Sequence, residues 1–170
     1  LANSGVYHRP HFVQKVEDSQ GNVLFDAANG GDEGEQRIDS AVADNVTAAM
    51  APIAGYSNGH NLAGGRPSAA KTGTNQLGDT GANRDAWMVG FTPSLVCGVW
   101  VGFDQKQSLG PDETGARAAL PIWVDFFKAI LAERPKERFL KPASVVYVPI
   151  DRSTGLRASV ESGSSTIFRT

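Results

Sequence analysis

Short runs of apolar and polar residues near the start of the chain predict its first two elements. Residues 12–16 and 22–26 are rich in β-favouring side chains and flank a turn sequence at 18–21, so they predict a β-hairpin. A helical spacing of apolar residues follows, with Asp39 or Ser40 able to cap its start and Pro52 near its end. The apolar residues at this spacing are Val42, Val46, Ala49, Met50 and Ile53.

Three apolar runs in the middle of the chain, 68–74, 86–92 and 95–103, predict β-strands. They are mostly continuous rather than alternating, which predicts a sheet covered on both faces. A helix is predicted at 122–132, with Pro121 at its first position. Because this helix is apolar on nearly all sides, we expect it to be buried against the sheet. Together these patterns predict an α+β fold, an antiparallel sheet with helices packed on it.

Segments rich in small and polar residues separate these elements. Residues 27–36 and 55–67 are predicted loops, the first of them a mobile surface loop. A further strand is predicted at 143–150, with a turn at 151–155, and the Ser-rich tail has little to pack. Residues 1–5 have the sequence of a last helical turn and its C-cap, so we expect this chain to be a piece of a longer one.

Composition narrows the class of protein. Sixteen basic and 18 acidic residues leave a formal charge of −2, which does not provide the basic surface typical of nucleic-acid binding. The longest nearly unbroken apolar run has about half of the roughly 18–20 residues that a membrane helix needs. Cys97 is the only cysteine, which excludes an internal disulfide and a Cys-type metal site. We expect a buried, inert thiol there, and a domain with no metal or cofactor.

One segment combines glycine, serine, lysine and threonine in patterns that enzymes use. Residues 65–72 approach a phosphate-binding loop, but Ala70 replaces its second glycine and further glycines follow where a helix would begin. Ser68 and Lys71 have the S-x-x-K spacing of a serine nucleophile and its lysine, an arrangement that needs a helix. In a strand the two side chains point to opposite faces, so we interpret Ser68 as a small strand residue.

Lys71, Thr72 and Gly73 form a third pattern, the K-T-G motif of penicillin-recognising enzymes, and Thr74 follows it. On an edge strand, Lys71 and Gly73 share one face while Thr72 and Thr74 share the other. One face can then present an ammonium group to a reacting centre, while the hydroxyls bind a substrate carboxylate. Gly73 leaves room for a peptide along the strand, and a backbone N–H after it can stabilise a tetrahedral oxyanion.

Three ordered motifs and the opening segment carry a family resemblance. Residues 68–74 (SAAKTGT), 83–93 (NRDAWMVGFTP), 99–102 (VWVG) and 1–8 resemble the transpeptidase domain of class A penicillin-binding proteins, the bifunctional peptidoglycan synthases. The resemblance covers roughly residues 1–132. It implies the penicillin-binding-protein and serine β-lactamase-like fold. It also implies a serine acyl transfer that cleaves the D-Ala-D-Ala bond of a stem peptide and joins the acyl group to another strand's amine.

The resemblance also assigns roles to residues of the motif. Lys71 is the motif lysine and a catalytic residue, Thr72, Gly73 and Thr74 bind substrate, and the Thr74 N–H forms half of the oxyanion hole. The two threonine hydroxyls would bind the terminal carboxylate of the stem peptide. β-Lactam antibiotics would bind at the same place as substrate mimics. The parent protein would be membrane-anchored in the cell envelope, with this domain at the outer face of the cytoplasmic membrane.

Two motifs that the family needs are missing from the sequence. Its only S-x-x-K begins at Ser68, and no S-x-N occurs. We therefore expect this chain to be unable to acylate alone and to need the upstream part of the same domain, covalent or associated. We divide it into a transpeptidase portion at 1–135 and a C-terminal extension at 136–170. The alternatives are a fragment of a serine β-lactamase or D,D-carboxypeptidase, and a non-catalytic module that binds the envelope.

Several smaller features have ordinary structural interpretations. Asp79-Thr80-Gly81 matches the aspartic-protease tripeptide but is predicted as a turn. His8 and His11 lack a third metal ligand and are predicted to lie on the surface. The loop at 75–84 either gates substrate or is simply solvated. The three tryptophans are expected to pack in the core: Trp87, Trp100 and Trp123.

Overall fold

A computed structural model describes residues 1–30, 33–56, 66–151, 154–157 and 165–169 of the chain. In chain order the elements are β1 (Val6–Tyr7), β2 (Lys15–Glu17), β3 (Val23–Asp26), β4 (Glu35–Gln36), α1 (Ser40–Tyr56), β5 (Ala69–Gln76), β6 (Asn83–Phe91), β7 (Val96–Val101), α2 (Leu120–Leu131), β8 (Tyr147–Asp151) and β9 (Ser165–Arg169). Their antiparallel pairings confirm the predicted α+β class.

The main sheet has three antiparallel strands in the order β5-β6-β7. Within the described residues, β5 pairs only with β6 and so forms a free edge. Gly73 of β5 lies opposite Trp87 of β6, which in turn lies opposite Trp100 of β7. This register sets which side chains of the predicted motif share a face.

One face of the sheet carries the main hydrophobic core, formed with α2. The Trp123 indole packs so closely that a Cβ on Gly90 would lie 2.5 Å from it. Its Nε1 also donates a hydrogen bond to the Cys97 carbonyl oxygen at 3.1 Å, which fixes the helix to the sheet. Burying a large apolar side chain stabilises the fold by about 1.5–3 kcal/mol. The buried members are Ala70, Met88, Ala119, Leu120, Trp123, Val124, Phe127 and Leu131.

The opposite face is not covered by the described residues around Trp87, Val89, Val96 and Trp100, and these four side chains define what we call the open face. Trp87 and Trp100 are 44% and 42% exposed, with ring centroids 6.2 Å apart. The prediction of a sheet covered on both faces is therefore wrong here, as is the prediction that these two tryptophans lie in a core. β7 alternates exposed and half-buried residues, which is the pattern of a one-sided sheet.

Both helices form close to where the sequence predicts them. Asp39 caps α1, since its Oδ1 accepts from the Ala41 N–H at 2.8 Å. Pro52 lies inside α1 rather than at its end, and residues 55 and 56 are still helical. Residues 57–65, the rest of the predicted loop, lie outside the described part. Pro121 occupies the first turn of α2, as predicted.

The apolar faces of the helices differ from expectation. Val42 and Val46 of α1 are exposed, whereas the buried side of the helix carries Ala43, Asp44 and Thr47. The sequence predicts that α2 is buried on nearly all sides, and this prediction is wrong. One side of it is exposed, formed by Ile122, Phe126 and Ile130. Within the described residues, each helix thus turns an apolar stripe outward.

The N-terminal region contains the predicted hairpin, with β2 paired antiparallel to β3. Asp18 holds its turn: one carboxylate oxygen accepts from the N–H groups of Gln20 and Asn22, and the other from the Asn22 side chain. Hydrogen bonds from Asn22 are the main reason that the pKa of Asp18 lies below its ordinary value. Upstream, Ser4 and Gly5 have the positive φ angles of a helix C-cap, 58° and 87°.

Two predicted irregular segments contain regular structure. Residues 27–29 form a short 3₁₀ turn, and β4 pairs with β1, so 27–36 is not simply a loop; residues 31 and 32 lie outside the described part. The strand predicted at 143–150 is β8, shifted to Tyr147–Asp151, and it pairs with β9. The sequence predicts that the Ser-rich tail has little to pack, but residues 165–169 of this tail form β9. Among the described residues, no helix combines the length and apolar character needed to cross a membrane.

Candidate functional site

The predicted site lies on the edge strand β5. Lys71 lies opposite Val89 and Gly73 opposite Trp87, both on the open face. Thr72 lies opposite Met88, which is fully buried on the covered face. The division of the motif between two faces, inferred from strand alternation, is therefore confirmed.

Lys71 is exposed, and its Nζ donates a hydrogen bond to the Thr72 carbonyl oxygen at 2.7 Å. This contact holds the ammonium group over the strand backbone beside Gly73. The lysine side chain has a flexible four-carbon stem, so its ammonium group can leave this carbonyl oxygen and contact a ligand at the open edge.

Thr74 lies opposite Ala86 on the covered side of the sheet, yet it is exposed because it is at the free edge. Its Oγ1 accepts a hydrogen bond from the Gly115 N–H at 3.0 Å. Gly115 begins a single π-helical turn at 115–119 that runs directly into α2. The hydroxyl is thus held by backbone from a distant part of the chain.

Ser68 is buried directly before β5, one residue outside the strand in which the sequence places it. The residue is 9% exposed, whereas Lys71, three positions later in the extended strand, is exposed. The two groups do not share the face of a helical turn, which is what the S-x-x-K arrangement requires.

The comparisons with known proteins agree with this geometry. Residues 1–130 match the family described as "Penicillin binding protein transpeptidase domain". The chain belongs to this family. Penicillin-binding protein 1A of Mycolicibacterium smegmatis is 58% identical over 150 residues, and that of Mycobacterium tuberculosis is 57% identical over 150 residues. Both alignments cover 85% of this chain but only 19% and 18% of the relatives, so the chain spans about a fifth of their length.

Solved structures show the same fold. Penicillin-binding protein PonA1 from Mycobacterium tuberculosis matches with a TM-score of 0.78 at 57% identity, covering 83% of this chain and 38% of that one. Penicillin-binding protein 1A from Haemophilus influenzae matches with a TM-score of 0.80 at 26% identity, covering 98% of this chain and 30% of that one. The fold is therefore that of a penicillin-binding-protein transpeptidase domain, as the resemblance implied.

Sequence reasoning missed a polar cluster beside β5. Asp85 of β6 accepts hydrogen bonds from Arg84 Nε at 2.7 Å, Trp100 Nε1 at 3.1 Å and Asn75 Nδ2 at 3.3 Å. The Arg84 hydrogen bond is the largest cause of a lowered Asp85 pKa. Because Asn75 directly follows Thr74, this carboxylate links the end of the motif to β7. Arg84 adjoins Asp85 in the sequence, but only the cross-strand register brings Asn75 and Trp100 to the same carboxylate.

Arg66 is a second contact that the sequence did not reveal. Its guanidinium donates to the carbonyl oxygens of Leu131 and Arg134, both at 2.5 Å, and of Pro135 at 2.8 Å. These carbonyls lie at and after the end of α2, where a helix leaves such groups without intrahelical partners. Arg66 therefore ties the chain just before the motif strand to the C-terminal end of the core helix.

The remaining candidates are the turn at 79–81, the two N-terminal histidines and Cys97. Residues 79–81 lie in the turn between β5 and β6, where Thr80 Oγ1 donates to the Leu77 carbonyl oxygen, which confirms the turn. His8 and His11 line an open cleft of about 690 Å³ with Phe25, and no group of three metal-ligating side chains occurs among the described residues. Cys97 is half-buried, and burial raises the pKa of its thiol.

Proposed function

We propose that this chain supplies the K-T-G strand of a serine-type peptidoglycan D,D-transpeptidase of the class A type. The observation that carries the proposal is the free edge strand β5, in a member of this family, with Lys71 and Gly73 on one face and Thr72 and Thr74 on the other. A free edge accepts an extended peptide, and Gly73 places no side chain in its way.

The chemistry is an acyl transfer in two steps. A serine oxygen attacks the carbonyl carbon of the penultimate D-Ala and forms a tetrahedral oxyanion, which the Thr74 N–H helps to stabilise. The C–N bond then breaks, and the terminal D-Ala leaves with a proton on its nitrogen. In the second step an amine of another strand displaces the serine oxygen, which regains a proton. Lys71 supplies positive charge beside this centre.

The threonines account for recognition of the terminal carboxylate. Thr72 and Thr74 share a face, and two hydroxyl donors on alternate residues suit the two oxygens of a carboxylate. A β-lactam carries a comparable carboxylate beside its reactive amide, so we propose that it binds here. Support comes from the relative PonA1 of Mycobacterium tuberculosis, which is solved in complex with penicillin V and matches with a TM-score of 0.76.

The nucleophile must come from residues outside this sequence. Its only S-x-x-K serine, Ser68, is buried, and no S-x-N occurs. We propose that the upstream part of the transpeptidase domain covers the open face and the outward stripe of α1. Large apolar side chains grouped on a surface mark an interaction site. The exposed apolar side chains on these two surfaces are Val42, Val46, Trp87, Val89, Val96 and Trp100.

The proposal also places the protein in the cell envelope. Its substrate is a cell-wall peptide, so the domain works at the outer face of the cytoplasmic membrane in a membrane-anchored parent protein. The family match ends at residue 130, which supports a boundary near 135 between the transpeptidase portion and the extension at 136–170.

Labelling with a fluorescent penicillin tests the activity. We expect the complete protein that contains this chain to be labelled and the isolated chain to remain unlabelled. Lys71→Ala should abolish labelling of the complete protein, whereas Ser68→Ala, the matched control, should leave it nearly unchanged. An unlabelled complete protein would disprove the transpeptidase proposal, and a Ser68→Ala loss as complete as that of Lys71→Ala would make Ser68 the nucleophile.

The same experiment separates the alternatives. A serine β-lactamase or D,D-carboxypeptidase would lose the label rapidly by hydrolysis, whereas a transpeptidase retains it. A non-catalytic envelope module would bind a stem peptide without any covalent label.

Acrylamide quenching of tryptophan fluorescence tests the covering of the open face. Trp87 and Trp100 should be quenched readily in the isolated chain and much less in the complete protein. Trp123, which is fully buried, provides the internal reference. Equal quenching of Trp87 and Trp100 in both forms would show that nothing covers this face.

A further inference from the structure

The contact between Thr74 and Gly115 joins residues 41 positions apart in the sequence. Thr74 Oγ1 is the acceptor and the Gly115 N–H the donor, at 3.0 Å. A hydroxyl has one proton to donate and two lone pairs to accept with. With one lone pair engaged by a fixed N–H, the hydroxyl proton stays available for an acceptor on the ligand.

The donor is held rigidly. Gly115 is buried at the start of the 115–119 turn, and the Leu120 N–H that begins α2 donates to the Gly115 carbonyl oxygen. α2 is anchored in turn by the fully buried Trp123 and Phe127. The position of the Gly115 N–H is therefore set by the main core, not by the edge strand that it contacts.

Only glycine fits at this position, and the reason is space. A Cβ on residue 115 would lie 2.3 Å from the Trp87 carbonyl oxygen and 2.5 Å from the Gly73 carbonyl oxygen. Both are backbone atoms of paired strands, so neither can move aside alone. The φ angle of Gly115 is not in the left-handed region, so backbone conformation does not demand glycine here. The turn packs directly against the strand pair at the K-T-G motif.

We propose that Gly115 is a positioning residue for substrate recognition. Its N–H holds the Thr74 oxygen so that the hydroxyl proton points toward the carboxylate of the stem peptide or β-lactam. This inference rests on the proposed function, because it concerns the ligand carboxylate that Thr74 is proposed to bind. The free-energy cost of binding is lower for a hydroxyl donor that is already oriented than for one that rotates freely.

The test compares two ligands on the complete protein, penicillin V and its methyl ester, which lacks the carboxylate charge. Acylation is followed by intact-protein mass spectrometry, which gives a second-order rate constant for each ligand. Replacing the Gly115 amide by an ester removes the N–H without adding a Cβ, and should lower the rate constant for penicillin V about tenfold to a hundredfold, the effect of losing one hydrogen bond to a charged group. The rate constant for the methyl ester should fall by less than about threefold.

A double-mutant cycle shows whether Gly115 acts through the hydroxyl. Thr74→Val removes the hydroxyl while keeping the shape, and Thr74→Ser keeps it. Thr74→Val should cause the same carboxylate-selective loss, and Thr74→Ser should largely restore the rate. In the Thr74→Val background, the ester at Gly115 should slow penicillin V acylation little more, since the group that its N–H positions is already gone.

The same ester replacement at Gly30, whose N–H donates to the Ala27 carbonyl oxygen at 3.2 Å, provides the control outside the main sheet. We expect no change there with either ligand. Gly115→Ala, by contrast, would add a Cβ that displaces the backbone of Gly73 and Trp87, and we expect it to slow acylation by both ligands.

Two kinds of result would overturn the inference. Equal losses with both ligands on ester replacement at Gly115, or no loss with penicillin V, would mean that Gly115 only maintains the fold. Additive losses in the double mutant would show that it does not act through Thr74. If the wild-type complete protein is acylated by neither ligand, the proposed function itself fails together with this inference.

Discussion

The indole Nε1 of Trp100 donates a hydrogen bond to Asp85 Oδ1 at 3.1 Å, linking the open faces of β6 and β7. Arg84 and Asn75 donate to the other carboxylate oxygen, Oδ2. All three contacts stabilise the ionised form, so the pKa of Asp85 lies below its ordinary value. The cluster lies beside β5, and the strength of its hydrogen bonds depends on pH.

The lowered pKa of Asp85 predicts a loss of stability in acid. A carboxylate with a lowered pKa in the folded state stabilises the protein above the ordinary carboxyl pKa, and this contribution disappears as pH falls through the lowered value. The melting temperature should therefore fall below about pH 4, and less steeply in Asp85→Asn. Asp79→Asn, in the neighbouring exposed turn, is the control and should follow the wild-type profile. Parallel profiles for wild type and Asp85→Asn would contradict the prediction.

Two adjacent phenylalanines of α2 should differ sharply in their importance. Phe127 is fully buried and Phe126 is 43% exposed. Phe127→Ala should lower the free energy of unfolding by about 3–5 kcal/mol, because it leaves a cavity in the core. Phe126→Ala should cost less than about 1 kcal/mol. Urea unfolding measures both, and similar losses would mean that α2 packs with a different face toward the sheet.

Arg66 should stabilise the end of α2. Arg66→Ala removes the donors to three carbonyl oxygens, and we expect a loss of about 1–3 kcal/mol in the free energy of unfolding. Amide hydrogen exchange should quicken most at residues 131–134 and 136. Arg66→Lys keeps the charge but not the planar fork, so it should recover only part of the loss. Full recovery with lysine would show that charge alone accounts for the effect.

The thiol of Cys97 should be unreactive in the folded protein. Desolvation raises its pKa, so the thiolate is scarce at pH 8 and the half-buried sulfur is poorly accessible. Reaction with Ellman's reagent at pH 8 should be slow in buffer and fast in urea. Equally fast reaction under both conditions would mean that β7 opens readily.

The local features of the fold were predictable because neighbouring residues determine them. Asp39 before an apolar helical spacing caps α1 through its own backbone neighbours. The alternation of Lys71, Thr72, Gly73 and Thr74 between two faces follows from strand geometry alone. Such features need no knowledge of what lies across the fold.

Burial depended on distant residues and was predicted less well. Trp87, Trp100 and Trp123 all occur in apolar surroundings in the sequence, yet only Trp123 is buried. The difference is that α2 covers one face of the sheet, while the described residues leave the other face open around Trp87 and Trp100. A run of apolar residues indicates that burial of these side chains is favourable, but it does not show which element or partner covers them.

From the sequence by itself come the class of fold, the order of the main elements and the motif that indicates an acyl-transfer strand. The tertiary structure alone decides that Gly115 holds the Thr74 hydroxyl, that Asp85 links β5 to β7, and that Arg66 closes the end of α2. Each of these contacts joins groups through packing and strand register. Residue type and spacing carry information over one turn or one strand, whereas such contacts depend on how separate elements come together.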